Sequence, residues 1–111
     1  MMKNFINLKD ISTIDLRRIL NDAKKRKNKR KNLSTLTPDK DMPLKNKLLV
    51  QMFEISSLRT RLSFYLAIKQ LGGSALTLRP DELHFSSGAE PISDVAKILS
   101  LYSDIFVLRT K

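Results

Sequence analysis

The spacing of apolar residues changes period several times along the chain, and each change marks an element. At Ile11-Ser12-Thr13-Ile14-Asp15-Leu16 a helix can begin: Ser12 suits the cap, Asp15 answers it three residues on, and Ile11 can staple to Leu16. Leu16, Ile19, Leu20 and Ala23 then lie on one apolar helix face. Residues 32–43 hold turn formers and two prolines without a period, and read as a surface connection. Leu48 to Phe53 is a continuous apolar run with Gln51 its only polar member, which predicts a strand covered on both faces. From Leu58 the spacing is helical again, with Phe64, Ala67, Ile68 and Leu71 on one face and Gly72-Gly73 as a left-handed stop. Ser74 to Leu78 predicts a second strand, ended by Arg79-Pro80-Asp81, and residues 82–89 read as irregular. Glu90-Pro91 opens a third helix with Ile92, Val95, Ala96 and Leu99 as its buried face. Ile105-Phe106-Val107-Leu108 reads as a third strand.

Helix, strand, helix, strand, helix, strand is the order of an α/β layer with parallel strands and right-handed crossovers. The expected fold is α/β, a partial three-layer α/β/α arrangement of parallel strands with flanking helices. Three strands make a narrow sheet whose last member is a potential bare edge. Ligands in such sheets collect at the carboxyl ends of strands. The turn after Phe53 and Arg109, just beyond Leu108, meet that rule.

With 111 residues, 41% hydrophobic and 29% charged, the chain has the composition of one globular domain. It contains no cysteine, which excludes disulfides and thiolate-bound zinc and fits a reducing compartment. Its apolar runs fall short of a membrane span, and its first ten residues lack a signal-peptide core, so a cytoplasmic protein without membrane partners is expected. The net charge of +10 is local: residues 1–47 carry 14 Lys/Arg against 5 Asp/Glu, the rest 7 against 6. Most of the excess lies in Lys24-Lys25-Arg26-Lys27-Asn28-Lys29-Arg30-Lys31. Such a run suits nucleic acid, anionic lipid or an import receptor. No aromatic residues interleave it, so a solvated helix end is favoured over a nucleic-acid partner.

The strongest chemical signal is the start of the second helix, where Ser57, Arg59, Thr60 and Arg61 concentrate hydroxyls and guanidiniums. Unpaired N–H groups and a positive dipole end make a helix N-terminus suitable for phosphate. Ser57 reads equally as an ordinary cap or as a ligand. Arg59 and Arg61 lie on different helix faces, so one can bind an anion while the other pairs with an acid such as Glu54 or Glu90. No G-x-x-x-x-G-K-[ST] is present, which argues against a nucleotide triphosphatase.

Phe53-Glu54-x-x-Ser57-Leu58-Arg59-Thr60-Arg61-Leu62-Ser63-Phe64 resembles the carbamoyl-phosphate loop of the aspartate and ornithine carbamoyltransferases, Phe-Glu-x-x-Ser-Thr-Arg-Thr-Arg-x-Ser-Phe. Asn4-Phe5-Ile6-Asn7-Leu8-Lys9-Asp10, Pro43-Leu44-Lys45-Asn46-Lys47, Gln70-Leu71-Gly72-Gly73-Ser74-Ala75, Glu90-Pro91-Ile92-Ser93-Asp94 and Tyr102-Ser103-Asp104-Ile105-x-Val107-x-Arg109 are similar to the ornithine branch. The resemblance implies a carbamoyl-phosphate-binding domain over residues 1–111, incomplete at its C-terminus. Ser57, Arg59 and Thr60 would hold phosphate, Arg109 would reach carbamoyl phosphate from a strand end, and Arg61 and Glu90 would support them. It implies no catalytic residue with certainty, no metal and no cofactor.

The departures weigh as much. Leu58 replaces a phosphate-contacting threonine, Ile55 and Ser56 replace Lys-Pro, and His84 or Phe85 takes the place of a glutamine that reaches a neighbouring subunit. The family's His-Pro-Cys-Gln segment and ornithine domain are absent from these 111 residues. The expected function is therefore that of an ornithine carbamoyltransferase-like fragment, inactive alone and completed by a separately encoded remainder, with a homo-oligomer as a further expectation. The alternatives are a basic nucleic-acid-binding protein using residues 24–31, or a vestigial product.

Overall fold

After a single 3-10 turn at Leu8–Asp10, helices and strands alternate: α1 (Thr13–Lys29), β1 (Leu48–Phe53), α2 (Leu58–Gln70), β2 (Ser74–Leu78), α3 (Ile92–Tyr102) and β3 (Ile105–Arg109). The computed structural model describes residues 7–55, 57–79 and 92–109. The expected irregular stretch and the Glu90-Pro91 helix start lie outside them. The chain divides into two compact units, one up to Ser34 and one from Thr35 onward.

In the first unit Ser12 caps α1 as expected, its Oγ accepting from the Asp15 amide at 3.1 Å. Arg26, Lys27 and Lys29 occupy the last turn, where cations complement the helix dipole. The expected apolar face is present but not buried: Ile19 and Leu20 are 54% and 61% exposed, and no α1 residue is buried. Among its described residues the unit holds one helix and its flanking turns, without a second helix or strand to cover that stripe.

The second unit is built on a parallel sheet in the order β2-β1-β3. Central β1 buries Leu49, Val50, Gln51 and Met52, as a strand covered on both faces should. Val50 stands level with Leu76 on one side and Phe106 on the other. Strand alternation then aligns Leu49, Gln51 and Phe53 with Ala75, Thr77, Ile105, Val107 and Arg109 on one face. The chain crosses from β1 to β2 through α2, then back past β1 to β3 through α3. The helices flank the sheet, α2 against β1 and β2 and α3 against β3, as expected of parallel strands joined by helical crossovers.

Two local devices set the sheet's amino end. Gly72 takes φ +98° and closes α2. Asp104 clamps β1, its carboxylate accepting from the Leu48 amide at 2.8 Å and its own amide donating to the Leu48 carbonyl at 2.9 Å. The packing of α2 is thinner than its apolar spacing predicts: Ile68 is its buried residue, while Phe64 is 38% exposed. Its floor is β1 and edge strand β2, too narrow to cover a full helix face. On α3, Leu99 is half-buried.

Candidate functional site

Both sequence-derived positions fall at one place. The chain leaves β1 toward β2 and returns on the other side of β1 as β3, so the carboxyl ends of β1 and β3 flank the point where the strand order reverses. Crevices at such points are the usual ligand sites of open α/β sheets. Phe53 and Arg109 are register partners there, and the Glu54 amide donates to the Arg109 carbonyl at 2.9 Å. The backbone thus carries the start of α2 and the end of β3 side by side.

Ser57 stands at the N-cap of α2 with φ −150° and ψ 78°, and its side chain makes no capping hydrogen bond. Instead its Oγ accepts from Arg109 Nη1 at 3.0 Å. Of the two readings left open by the sequence, the ordinary side-chain cap is thereby set aside. The first-turn N–H groups of α2 are left to another acceptor. Thr60 is half-buried in that turn, and Arg59 beside it is exposed. The Arg109 guanidinium and the Ser57 hydroxyl meet at the positive end of the α2 dipole, with Thr60 in the same turn, a combination of groups suited to a tetrahedral oxyanion.

Arg61 is also exposed, one position further along α2. The expected ion pair to Glu54 is not formed: neither Arg59 nor Arg61 is ion-paired to a described residue. Glu90, His84 and Phe85 lie outside the described residues. Leu58 and Ile55, the two apolar departures, are 58% and 40% exposed. The basic run forms the last turns of α1 and the residues after it; there Arg26 Nε donates to Asp22 at 2.9 Å and Arg30 Nη2 to the Ser34 carbonyl at 3.1 Å. Among the described residues no helix is long and apolar enough to cross a membrane.

Pattern reasoning missed Gln51. Its amide is fully buried in β1 and donates from Nε2 to Thr77 Oγ1 at 3.0 Å and to the Arg61 carbonyl at 3.4 Å, while Oε1 has no partner among the described residues. The available signal was its standing as the one polar residue in the apolar run.

The family described as aspartate/ornithine carbamoyltransferase, carbamoyl-P binding domain, matches residues 3–111. An ornithine carbamoyltransferase of Paracoccus denitrificans is 38% identical over 109 residues, 98% of this chain and 35% of its own length. One from Rhizobium johnstonii is 42% identical over 108 residues, covering 97% of this chain and 34% of its own. The anabolic ornithine carbamoyltransferase of Campylobacter jejuni superposes with a TM-score of 0.79 at 35% identity, over 99% of this chain and 33% of its own. The catalytic subunit of M. jannaschii aspartate transcarbamoylase gives a TM-score of 0.80 at 34% identity, over 99% of this chain and 35% of its own. The chain spans about a third of the length of the curated relatives it matches.

Proposed function

This chain belongs to the aspartate/ornithine carbamoyltransferase family, and we propose that it binds carbamoyl phosphate as the phosphate-holding part of an ornithine carbamoyltransferase. Ser57, Arg59 and Thr60 hold the phosphate at the start of α2, with Arg61 and Glu90 in support. Arg109 reaches the same ligand from the end of β3. The observation that carries this reading is the 3.0 Å hydrogen bond from Arg109 Nη1 to Ser57 Oγ, which joins two positions 52 residues apart at the reversal point of the sheet.

In this role the site neutralises phosphate and polarises the carbamoyl carbonyl while the side-chain amine of ornithine attacks it, giving citrulline and inorganic phosphate. Positioning and charge stabilisation supply most of the barrier reduction. Ornithine is held by the part of the family's length that these 111 residues do not span. The reaction belongs in the cytoplasm.

Calorimetric titration of the 111-residue chain with carbamoyl phosphate, paired with a colorimetric citrulline assay, tests both halves of the proposal. Saturable binding competed by inorganic phosphate, without citrulline from added ornithine, is expected. Lack of saturable binding overturns the site. Citrulline formed by these 111 residues alone overturns the assignment of ornithine to the part they do not span.

A further inference from the structure

A glutamine amide in the middle of a central strand is an expensive substituent, because a buried polar group that lacks a partner keeps its full desolvation cost. Gln51 is fully buried, and its Oε1 has no hydrogen-bond partner among the described residues. Its orientation follows from its neighbours: the Arg61 carbonyl can only accept, so Nε2 must face it and Oε1 must point away. Neither acceptor depends on this amide. Thr77 is an exposed residue of an edge strand, and a carbonyl in the first turns of a helix has its own intrahelical donor. The fold therefore has little use for Gln51.

The anion site has more. Arg61 is the residue whose amide closes the first turn of α2 onto the Ser57 carbonyl, at 3.0 Å. Its carbonyl is the group that Gln51 Nε2 approaches at 3.4 Å. A continuous path runs from the rigid centre of the sheet through the Gln51 amide to the Arg61 peptide unit, then to Ser57, whose Oγ receives Arg109. Thr77 Oγ1, at 3.0 Å on the neighbouring strand, holds the same amide from the other side.

We propose that Gln51 is a positioning residue for the anion site: it fixes the first turn of α2, and with it Ser57 and Thr60, against the sheet at the expense of fold stability. This rests on the assignment of the site to phosphate.

The test compares the wild-type chain with Gln51→Met and Thr77→Val, reading the dissociation constant for inorganic phosphate by calorimetry and Tm by scanning. Methionine keeps the volume and removes the buried amide, so Tm rises by about 4–8 °C while phosphate affinity falls about threefold to tenfold, the worth of one hydrogen bond. Thr77→Val leaves Gln51 with fewer partners, so Tm and affinity both fall. A stabilised Gln51→Met variant with weaker phosphate binding supports the proposal, since a purely structural residue would move the two together. Unchanged affinity in Gln51→Met overturns it, as does a Tm that falls or a variant that does not fold. Failure of the wild-type chain itself to bind phosphate overturns the underlying site assignment, and is thereby distinguished from failure of the positioning role.

Discussion

Replacing Arg109 with methionine removes the guanidinium while keeping an unbranched side chain at the end of β3. In the absence of ligand the loss is one hydrogen bond, to Ser57 Oγ at 3.0 Å, between an exposed and a half-buried residue. Such a bond contributes about 0.5 kcal/mol, so Tm changes by about 2–4 °C. With phosphate bound, the loss includes a cation near the anion. Two unit charges 4 Å apart attract by about 1 kcal/mol in water and about 4 kcal/mol at an effective dielectric of 20. Arg109 is exposed, so the low end applies, and about 1–2 kcal/mol corresponds to roughly fivefold to thirtyfold weaker binding. Arg109→Lys keeps the charge without the planar fork and should fall between the two. Calorimetric titration with inorganic phosphate at low ionic strength, beside scanning calorimetry of each variant, gives both quantities. Unaltered affinity in Arg109→Met, or a Tm loss large enough to account for the affinity loss, would refute the reasoning.

Gly73→Ala should lower Tm by roughly 5–15 °C, because a Cβ there would sit 2.8 Å from the Lys47 carbonyl oxygen and 2.9 Å from that of Leu44, backbone atoms that cannot step aside. A thermal melt with Tm unchanged would count against this packing at the α2–β2 corner. Met52→Ala removes a fully buried side chain from the central strand and should cost about 2–5 kcal/mol in a urea titration, enough to unfold a marginal domain. A loss under about 1 kcal/mol would mean that β1 is not the core.

How much of this was legible in the sequence depended on range. The LLVQMF run announced a doubly covered strand because burial on both faces removes the alternation that would otherwise appear, and Leu49 to Met52 are all buried. Gly72-Gly73 announced the end of α2 because only glycine takes φ +98° there at little cost, and its neighbour has no room for a Cβ. The extent of helix burial was not legible. Phe64 and Ile19 have the spacing of a buried face, but periodicity reports which side of a helix is apolar, not whether anything covers it. At the site, the residue types at Ser57, Arg59 and Thr60 pointed to an anion, yet whether Ser57 is an ordinary cap or a ligand was undecided. The bond from Arg109 engages the Ser57 hydroxyl in place of a side-chain cap, and that contact exists only once β1 and β3 are paired in register. The same holds for Gln51, whose two acceptors come from α2 and β2.

The proposed anion site lies where α2 begins and β3 ends, and not in the basic run of α1. Amide chemical shifts of the isotope-labelled chain, followed as carbamoyl phosphate is added, locate the ligand directly. Saturable shifts concentrated at Ser57 through Arg61 and at Arg109 are expected. Shifts confined to residues 24–31 would contradict it.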